Sequence, residues 1–515
     1  MLASSVLLRR LAIAAALVGA VATFAAPDTR RPFGIADYDG WRSIEGETLS
    51  RDGRWLAYSF MPLEGDGDLV LRELATGREL RFPIGALPPP PLTASEENPE
   101  RPSPRREPTI ALTSDARFAV ATVFPAQADT LAAKRAKKKA DELPKEGLVI
   151  VELATGTATR VADVTNFQVP AKGGSWLAYL KQPVVEKKND SAKPTTPKTK
   201  EKKYGSLLVL RDLATGTERT FADVLEYSFA RDGRLLVFTV ASRTEANNGV
   251  YAVTPGDASA PLALASGPGR YQKFTWDRTQ SQAAFVTDRA EPDAKVPRFA
   301  LWHWARGTAP AAEFVTAATP GVPSGWNVSG DAAPAFSFDG KKLYVSTAPI
   351  QPAPDERLES LLDEEKITAD LWRWNDDYIQ PLQKIRAAKD RTRAYLGVLD
   401  LETRAFRQIA DLTLPTAIFS DDGLRAFGFD DRAYRRRFDY DGLFQDLYLV
   451  DARTGTRTRI VAELGEKAGV RWSHTGRWLA YYHQRQWFVV DAHTGAARSL
   501  TASIPVAFHD EDSDV

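Results

Sequence analysis

The stretch SRDGRWLAYSF, Ser50 to Phe60, decides the fold because it comes back. FARDGRLLVFTV (Phe229 to Val240), FSFDGKKLYVST (Phe336 to Thr347), FSDDGLRAFGF (Phe419 to Phe429) and WSHTGRWLAYY (Trp472 to Tyr482) repeat its order, a turn followed by an apolar run. Looser copies sit at Thr113 to Phe124, Lys172 to Leu180 and Thr275 to Thr287, which makes eight units. Neighbouring copies lie mostly about 45 to 65 residues apart, the period of a propeller or solenoid unit.

Asp-Gly between apolar runs is a hairpin signal, since Gly takes the positive φ that a tight turn of matching twist requires. Most units carry a second run with its own turn: LVLRELATGRELRF (Leu69 to Phe82), LVIVELATGTATRV (Leu148 to Val161), LLVLRDLATGTERTF (Leu207 to Phe221), LYLVDARTGTRTRIV (Leu447 to Val461) and WFVVDAHTGAARSL (Trp487 to Leu500). Before each Thr-Gly the chain is almost continuously apolar, which suits a strand buried on both faces. After it, polar and apolar residues alternate, which suits an outer strand with one wet face. Four short strands per unit predict an all-β chain: a β-propeller of about eight four-stranded blades over residues 33–500, with short helical insertions. Separate small β-domains are the poorer reading, because a single blade cannot bury both its faces.

Lys plus Arg equals Asp plus Glu at 67 each, which gives no electrostatic reason to expect nucleic acid as a partner. Residues 1–25 read as a signal peptide: Arg9 and Arg10 precede the apolar stretch Leu11 to Val21, and Ala20, Ala22 and Ala25 offer small residues for cleavage. That stretch is shorter than the roughly 20 residues a membrane span needs, so export with removal is expected, to the periplasm or outside the cell, with no membrane contact afterwards. Cysteine is absent, which excludes a disulfide framework, a thiolate nucleophile and a lipid-bearing Cys. No cofactor is implied.

Three segments interrupt the ring as loops: Gly85 to Pro108, dense in Pro and charge; the KRAKKK run at Lys134 to Lys139, read as a short solvated helix; and Lys187 to Lys203, disordered by composition. The longest interruption is Pro352 to Tyr395. There Leu358, Leu361 and Leu362 have helical spacing, Trp372 and Trp374 alternate as in a strand, and Ile385 to Tyr395 is either helical or extended. An excursion of this length often covers a channel or contacts a second domain.

DYDGWRSIEGETLSRDGRWLAYSF (Asp37 to Phe60), DLWRWNDDYIQPLQ (Asp370 to Gln383) with RTRAYLGVLDLET (Arg391 to Thr403), and LTASIPVAFHDED (Leu500 to Asp512) together resemble the N-terminal propeller of secreted bacterial S9 (prolyl oligopeptidase) family serine peptidases. The resemblance spans residues 33 to 512; single DG phrases are shared with TolB-like propellers. It implies a propeller that gates peptide substrates for an α/β-hydrolase domain carrying Ser, Asp and His. No G-x-S-x-G elbow occurs in this sequence: GVPSG at Gly321 to Gly325 lacks the residue between Ser324 and Gly325, so Ser324 reads as a loop residue. Residues 501–515 are expected to be a truncated acidic tail or the start of a further blade, and the chain itself a truncated product or partial reading frame, inactive alone.

Among single residues, His303, His474, His483, His493 and His509 have no motif that would assemble them into a triad. Asp510, Glu511, Asp512 and Asp514 offer hard oxygens but not the spacing or Gly of a calcium loop, and are read as a solvated terminus. Asp66-Gly67-Asp68, Asp421-Asp422-Gly423 and Asp439-Tyr440-Asp441-Gly442 are read as turns. Glu364 and Glu365 are the candidate substrate-amine contact, since the related dipeptidyl peptidase IV group uses paired propeller glutamates for that task; an exposed helix end is the alternative. No catalytic, metal or cofactor residue is assigned. The alternatives to the gating propeller are a stand-alone TolB-like propeller that binds a protein partner and a propeller enzyme with a channel metal, for which no periodic set of ligands occurs. Ring closure is expected either through a strand borrowed from later in the chain or by pairing of Phe33 to Ile44 with the Trp487 to Leu500 hairpin, and an unclosed edge would invite pairing with other chains.

Overall fold

The computed structural model describes residues 41–89, 106–183 and 203–506, apart from positions 309, 354, 360, 363, 364, 368, 466 and 467, together with Gly34, Tyr38 and Phe508. The described residues form a β-propeller of eight blades, each a meander of antiparallel strands paired in chain order, except that in blade 6 two short strands, Trp326–Val328 and Ala335–Phe336, both pair with Lys342–Pro349. Blade 1 consists of Arg42–Leu49, Trp55–Pro62, Asp66–Glu73 and Glu79–Ala86. Blade 2 covers 110–161, blade 5 271–315, blade 6 326–408, blade 7 416–465 and blade 8 471–499.

Blades 3 and 4 share a strand. Glu218–Phe229 is 12 residues long and bends where Asp223 takes φ 56°. Its first half, Glu218 to Phe221, pairs with the third strand of blade 3, Ser206–Asp212; its second half, Glu226 to Phe229, pairs with the second strand of blade 4, Leu236–Val240. One strand is therefore the outer edge of one blade and the inner edge of the next, and the two blades form a single seven-stranded sheet.

The recurring turn is built from side chains as well as Gly. In blade 1, Ser50 Oγ donates to Asp52 at 2.6 Å and accepts from Trp55 N at 2.8 Å, Asp52 accepts from Arg54 N, and Gly53 takes φ 71°. Thr113 and Asp115 repeat this in blade 2, Ser337 and Asp339 in blade 6, and Ser420 and Asp422 in blade 7. The hydroxyl and carboxylate satisfy turn N–H groups that the ladder leaves unpaired. The hydrogen bond from Ser50, reinforced by the backbone N–H of Arg54, holds the Asp52 carboxyl below its ordinary pKa.

Packing runs between blades rather than within them. In the third strand of blade 2, Val149 and Val151 join the cluster shared with blade 1, around Trp55, Leu69 and Leu71, while Leu148 and Ile150 join the cluster shared with blade 3, around Leu177 and Tyr179. The period-2 alternation of a strand thus serves two cores at once. Seven such clusters link consecutive blades from 1 to 8. Among the described residues no cluster joins blade 8 to blade 1, and no strand of one pairs with the other.

Blade 8 supplies all four of its own strands, and Arg42–Leu49 pairs only with Trp55–Pro62, so the expected pairing of Phe33 to Ile44 with the last hairpin is not found among the described residues. Asp66-Gly67-Asp68 opens a strand rather than a turn. Gly67 is needed there because a Cβ would lie 2.2 Å from the Met61 sulfur, and the turn falls one step earlier, at Gly65. Asp439 to Asp441 close the short helix Phe438–Asp441, which ends at Gly442 with φ 104°. The solvated helix is Gln127–Arg135, so only the first two residues of KRAKKK belong to it. Residues 1–25, expected to be a signal peptide, and the acidic residues 509–515 lie outside the described residues.

Blades 6 and 7 are also tied by an ion pair. Arg457 donates to the Asp411 carboxylate at 3.0 Å and to the Ile409 carbonyl at 2.7 Å. Burial would raise the Asp411 pKa, but the Thr413 hydroxyl, Arg457 and two backbone N–H groups hold it down at about 2. The folded value lies below the ordinary one, so this stabilisation is complete above pH about 4 and is lost as pH falls through about 2. The melting-temperature gap between wild type and Asp411→Asn should accordingly narrow over that window, as followed by circular dichroism.

Candidate functional site

A four-stranded meander places its first and third turns at one end and its second hairpin and exit at the other. The first end carries mostly short turns, hydroxyl–carboxylate or Thr-Gly in most blades, with longer connections at 169–175 and 254–261. Among the described residues the second carries the longest excursions: 124–146 with its helix, 288–299, 350–394 and 431–443, together with 241–248. Tyr38 and Trp41 precede the first strand of blade 1 and residues 500–508 follow the last strand of blade 8, so both belong to this long-loop end. It is also where large apolar side chains are left in water: Ile367 is 97% exposed, Trp374 93% and Trp372 67%, with Leu358, Leu362, Leu371, Ile379 and Tyr440 also exposed.

Polar contacts hold this apolar ridge in place. Tyr378 donates to Asp431 at 3.2 Å, Arg435 pairs with Asp377 at 2.9 Å and with Asp431 at 2.8 Å, and Arg436 donates to the Asn375 carbonyl at 2.6 Å. Arg386, on the helix Gln380–Arg391, sits 4.4 Å from the centre of the Tyr378 ring, and Phe438 meets that ring edge-on. The excursion from blade 6 is thereby strapped to the 431–441 segment of blade 7. Replacing Arg435 with Ala removes two of these ion pairs, and limited proteolysis within 352–394 should speed up severalfold while the blades stay resistant.

The strand expected at Trp372 and Trp374 is not formed. Both lie in irregular chain leading into a turn at Trp374-Asn375, because the strap fixes the backbone from Asn375 onward without any partner strand beside it. The 385–395 segment resolves as helix up to Arg391, with strand from Tyr395. Glu365 is exposed and accepts from Leu362 N at 2.8 Å within a local turn; Glu364 lies outside the described residues, so the carboxylate pair is neither assembled nor dispersed. The Asp431, Arg435 and Arg436 strap went unassigned in the sequence. Its signal was the alternation of Asp and Arg in DDRAYRRRFDYDG, where a hairpin needs no such density.

The inner strands line the axis. Asn166, Phe167, Gln168, Leu225, Glu226 and Tyr227 border a cleft of about 260 Å³, and Glu226 accepts from Lys273 N on the next blade at 3.1 Å. His303 lies on the third strand of blade 5, 2.7 Å from Gln282. Burial, followed by the nearby Arg404 charge, pushes its pKa down against the opposing pull of Asp277. His474 lies beside Asp421, His493 follows Asp491 in a turn, and His509 is outside the described residues. Ser324 occupies a turn, with Trp326 N bonded to the Pro323 carbonyl. Among the described residues no imidazole bonds a serine hydroxyl, and no group of three or more metal-ligating side chains occurs.

No protein-family model matches the chain, and no curated protein matches it significantly. Many solved structures match it at low similarity. One is a eukaryotic initiation factor, with TM-score 0.40 and 12% identity over 93% of this chain and 92% of that one. A prolyl endopeptidase gives TM-score 0.33 and 12% identity over 87% of this chain but 54% of its own, so this chain spans about half that enzyme. TolB from Acinetobacter baumannii gives TM-score 0.26 and 12% identity, with 78% of each chain covered. At these identities and TM-scores the matches carry no statement of family or function.

Proposed function

We propose that the chain is the non-catalytic, substrate-gating propeller of an S9-type serine peptidase, whose hydrolase domain seats on the long-loop end. The observation that carries this reading is the inequality of the two ends. One carries mostly short turns, while the other presents a strapped ridge with Trp372 and Trp374 in water. Exposed aromatic residues on a rigid support are the usual anchors of an interface, and a contiguous apolar patch on a soluble protein marks a contact surface. Export to the periplasm or beyond belongs to the same reading. Peptides would enter through the ring or its side, and bond cleavage would be supplied by the seated domain.

The test places a photo-crosslinking residue at position 374 of the full chain in its native cells. Adducts are then probed with a fluorophosphonate, which labels active serine hydrolases. A labelled adduct supports the reading. Labelling of the chain itself overturns it. An adduct to an unlabelled protein favours the stand-alone TolB-like binding module, for which the same ridge is the observation.

A further inference from the structure

The hairpin between the second and third strands of blade 5, residues 288–299, stands at the long-loop end beside the seam with blade 4. Tyr271 pairs with Thr287 and Trp302 pairs with Phe285, so these four side chains share one face of blade 5, the face packed on Val250 and Leu264 of blade 4. Arg289 follows Thr287 by two residues, and its guanidinium lies 4.9 Å from the centre of the Trp302 ring. The Arg289 backbone is fixed from two sides. Its N–H donates to Thr287 Oγ1 at 3.2 Å, and the loop Gly267-Pro268-Gly269 lies so close that a Cβ on Gly269, at φ 121°, would fall 2.8 Å from the Arg289 Cα.

This face holds hydrogen-bond donors without acceptors. Tyr271 is 2% exposed and its hydroxyl has no partner; the Trp302 indole N–H, also buried, has none either. Burial pushes the Tyr271 pKa up against the pull of the nearby Arg289 charge, so the phenol stays neutral and able to donate. Arg289 is exposed, and among the described residues its guanidinium rests on the indole without a carboxylate partner. The neighbouring carboxylate is already taken. Asp288, 1% exposed, accepts from Arg270 N at 2.6 Å through one oxygen and from Arg270 Nε and Nη2 at 2.8 and 2.6 Å through the other. Leaving a buried donor unpaired costs the full desolvation of that group, and native proteins keep few such donors.

We propose that the seam between blades 4 and 5 is an oxyanion site, which takes a carboxylate or phosphate group on Arg289 with Tyr271 and Trp302 behind it. Two unpaired donors beside an uncompensated cation lack one thing, an acceptor that carries negative charge. A guanidinium laid on an indole keeps its in-plane N–H groups for such an acceptor, which it binds through two parallel hydrogen bonds. The two neutral donors are shut off from water, so the anion docks first on the exposed guanidinium and gains them by a small shift of the seam. The inference goes beyond the peptidase reading and does not depend on it.

Isothermal titration of the full chain uses three probes: inorganic phosphate, N-acetyl-alanyl-alanine with its free carboxylate, and the same dipeptide as its C-terminal amide. Phosphate or the acid should bind and the amide should not, and whichever binds identifies the source of the oxyanion. Arg289→Met should weaken that binding about 30-fold, Arg289→Lys, which keeps the charge but not the fork, about fivefold, and Tyr271→Phe about fivefold. Arg54→Met, at an exposed arginine of blade 1 paired with Glu73, should leave it unchanged. Tyr271→Phe carries a second readout. It deletes an unpaired buried hydroxyl, so the melting temperature without ligand should hold or rise, whereas a hydroxyl that stabilises the seam would lower it. The site is overturned by equal affinity in wild type and Arg289→Met, by an equal loss in Arg54→Met, or by an amide that binds as tightly as the acid. It is likewise overturned if Tyr271→Phe leaves affinity unchanged or lowers the melting temperature, or if no probe binds up to about 10 mM.

Discussion

Phe285→Ala should cost about 3 to 5 kcal/mol, the largest loss expected from a single substitution in this chain. Phe285 is fully buried on the second strand of blade 5, within the cluster that joins blades 4 and 5. Its ring stacks on Trp302 at 6.3 Å and faces Tyr271 at 6.4 Å, and Trp304 belongs to the same cluster. Truncation removes the transfer free energy of the ring and leaves a void that strands bonded on both sides cannot fill. Phe285→Leu retains most of the apolar volume and should cost less than about 1.5 kcal/mol. Urea midpoints measure both. A ratio near one between the two losses would mean that this interface is not the tightly packed core described.

Trp372→Ser combined with Trp374→Ser should have the opposite profile. Both side chains project into water and neither belongs to a blade cluster, so stability of the free chain should change by no more than about 0.5 kcal/mol. Association with the hydrolase domain proposed to seat on the long-loop end should weaken at least about 100-fold, since buried tryptophans at an interface are each worth about 2 kcal/mol or more and are not simply additive. The crosslinked adduct, with the photoreactive residue moved to position 379, is the readout for binding, and the melting temperature is the readout for stability. Unchanged adduct yield would place the contact surface elsewhere.

These two predictions draw on parts of the molecule that differed in how far the sequence exposed them. The blades were legible because most of the first turns follow one local rule, visible even where the glycine is gone. Ala116 and Gln280 take φ 53° and 58° at the position Gly53 fills in blade 1, and their turns hold through Thr113 with Asp115 and through Asp277. The hydroxyl and carboxylate bonds do locally what glycine's freedom does elsewhere. The shared strand Glu218–Phe229 was not legible, because its two halves differ only in which neighbour they pair with. The long-loop end was not legible either: Trp372 and Trp374 alternate as a strand does, but what fixes them is a set of Asp and Arg residues some 60 positions later. Sequence periodicity reports local geometry and is silent about straps of that reach.

The continuous strand between the third and fourth blades also bears on how such a chain can change length over generations. Elsewhere a duplication or deletion bounded by two connecting loops adds or removes one whole sheet and leaves intact edges. A break within Glu218–Phe229 strips an edge from two blades at once. That pair can be copied or lost only together, which makes it the fixed point about which the number of repeats can drift.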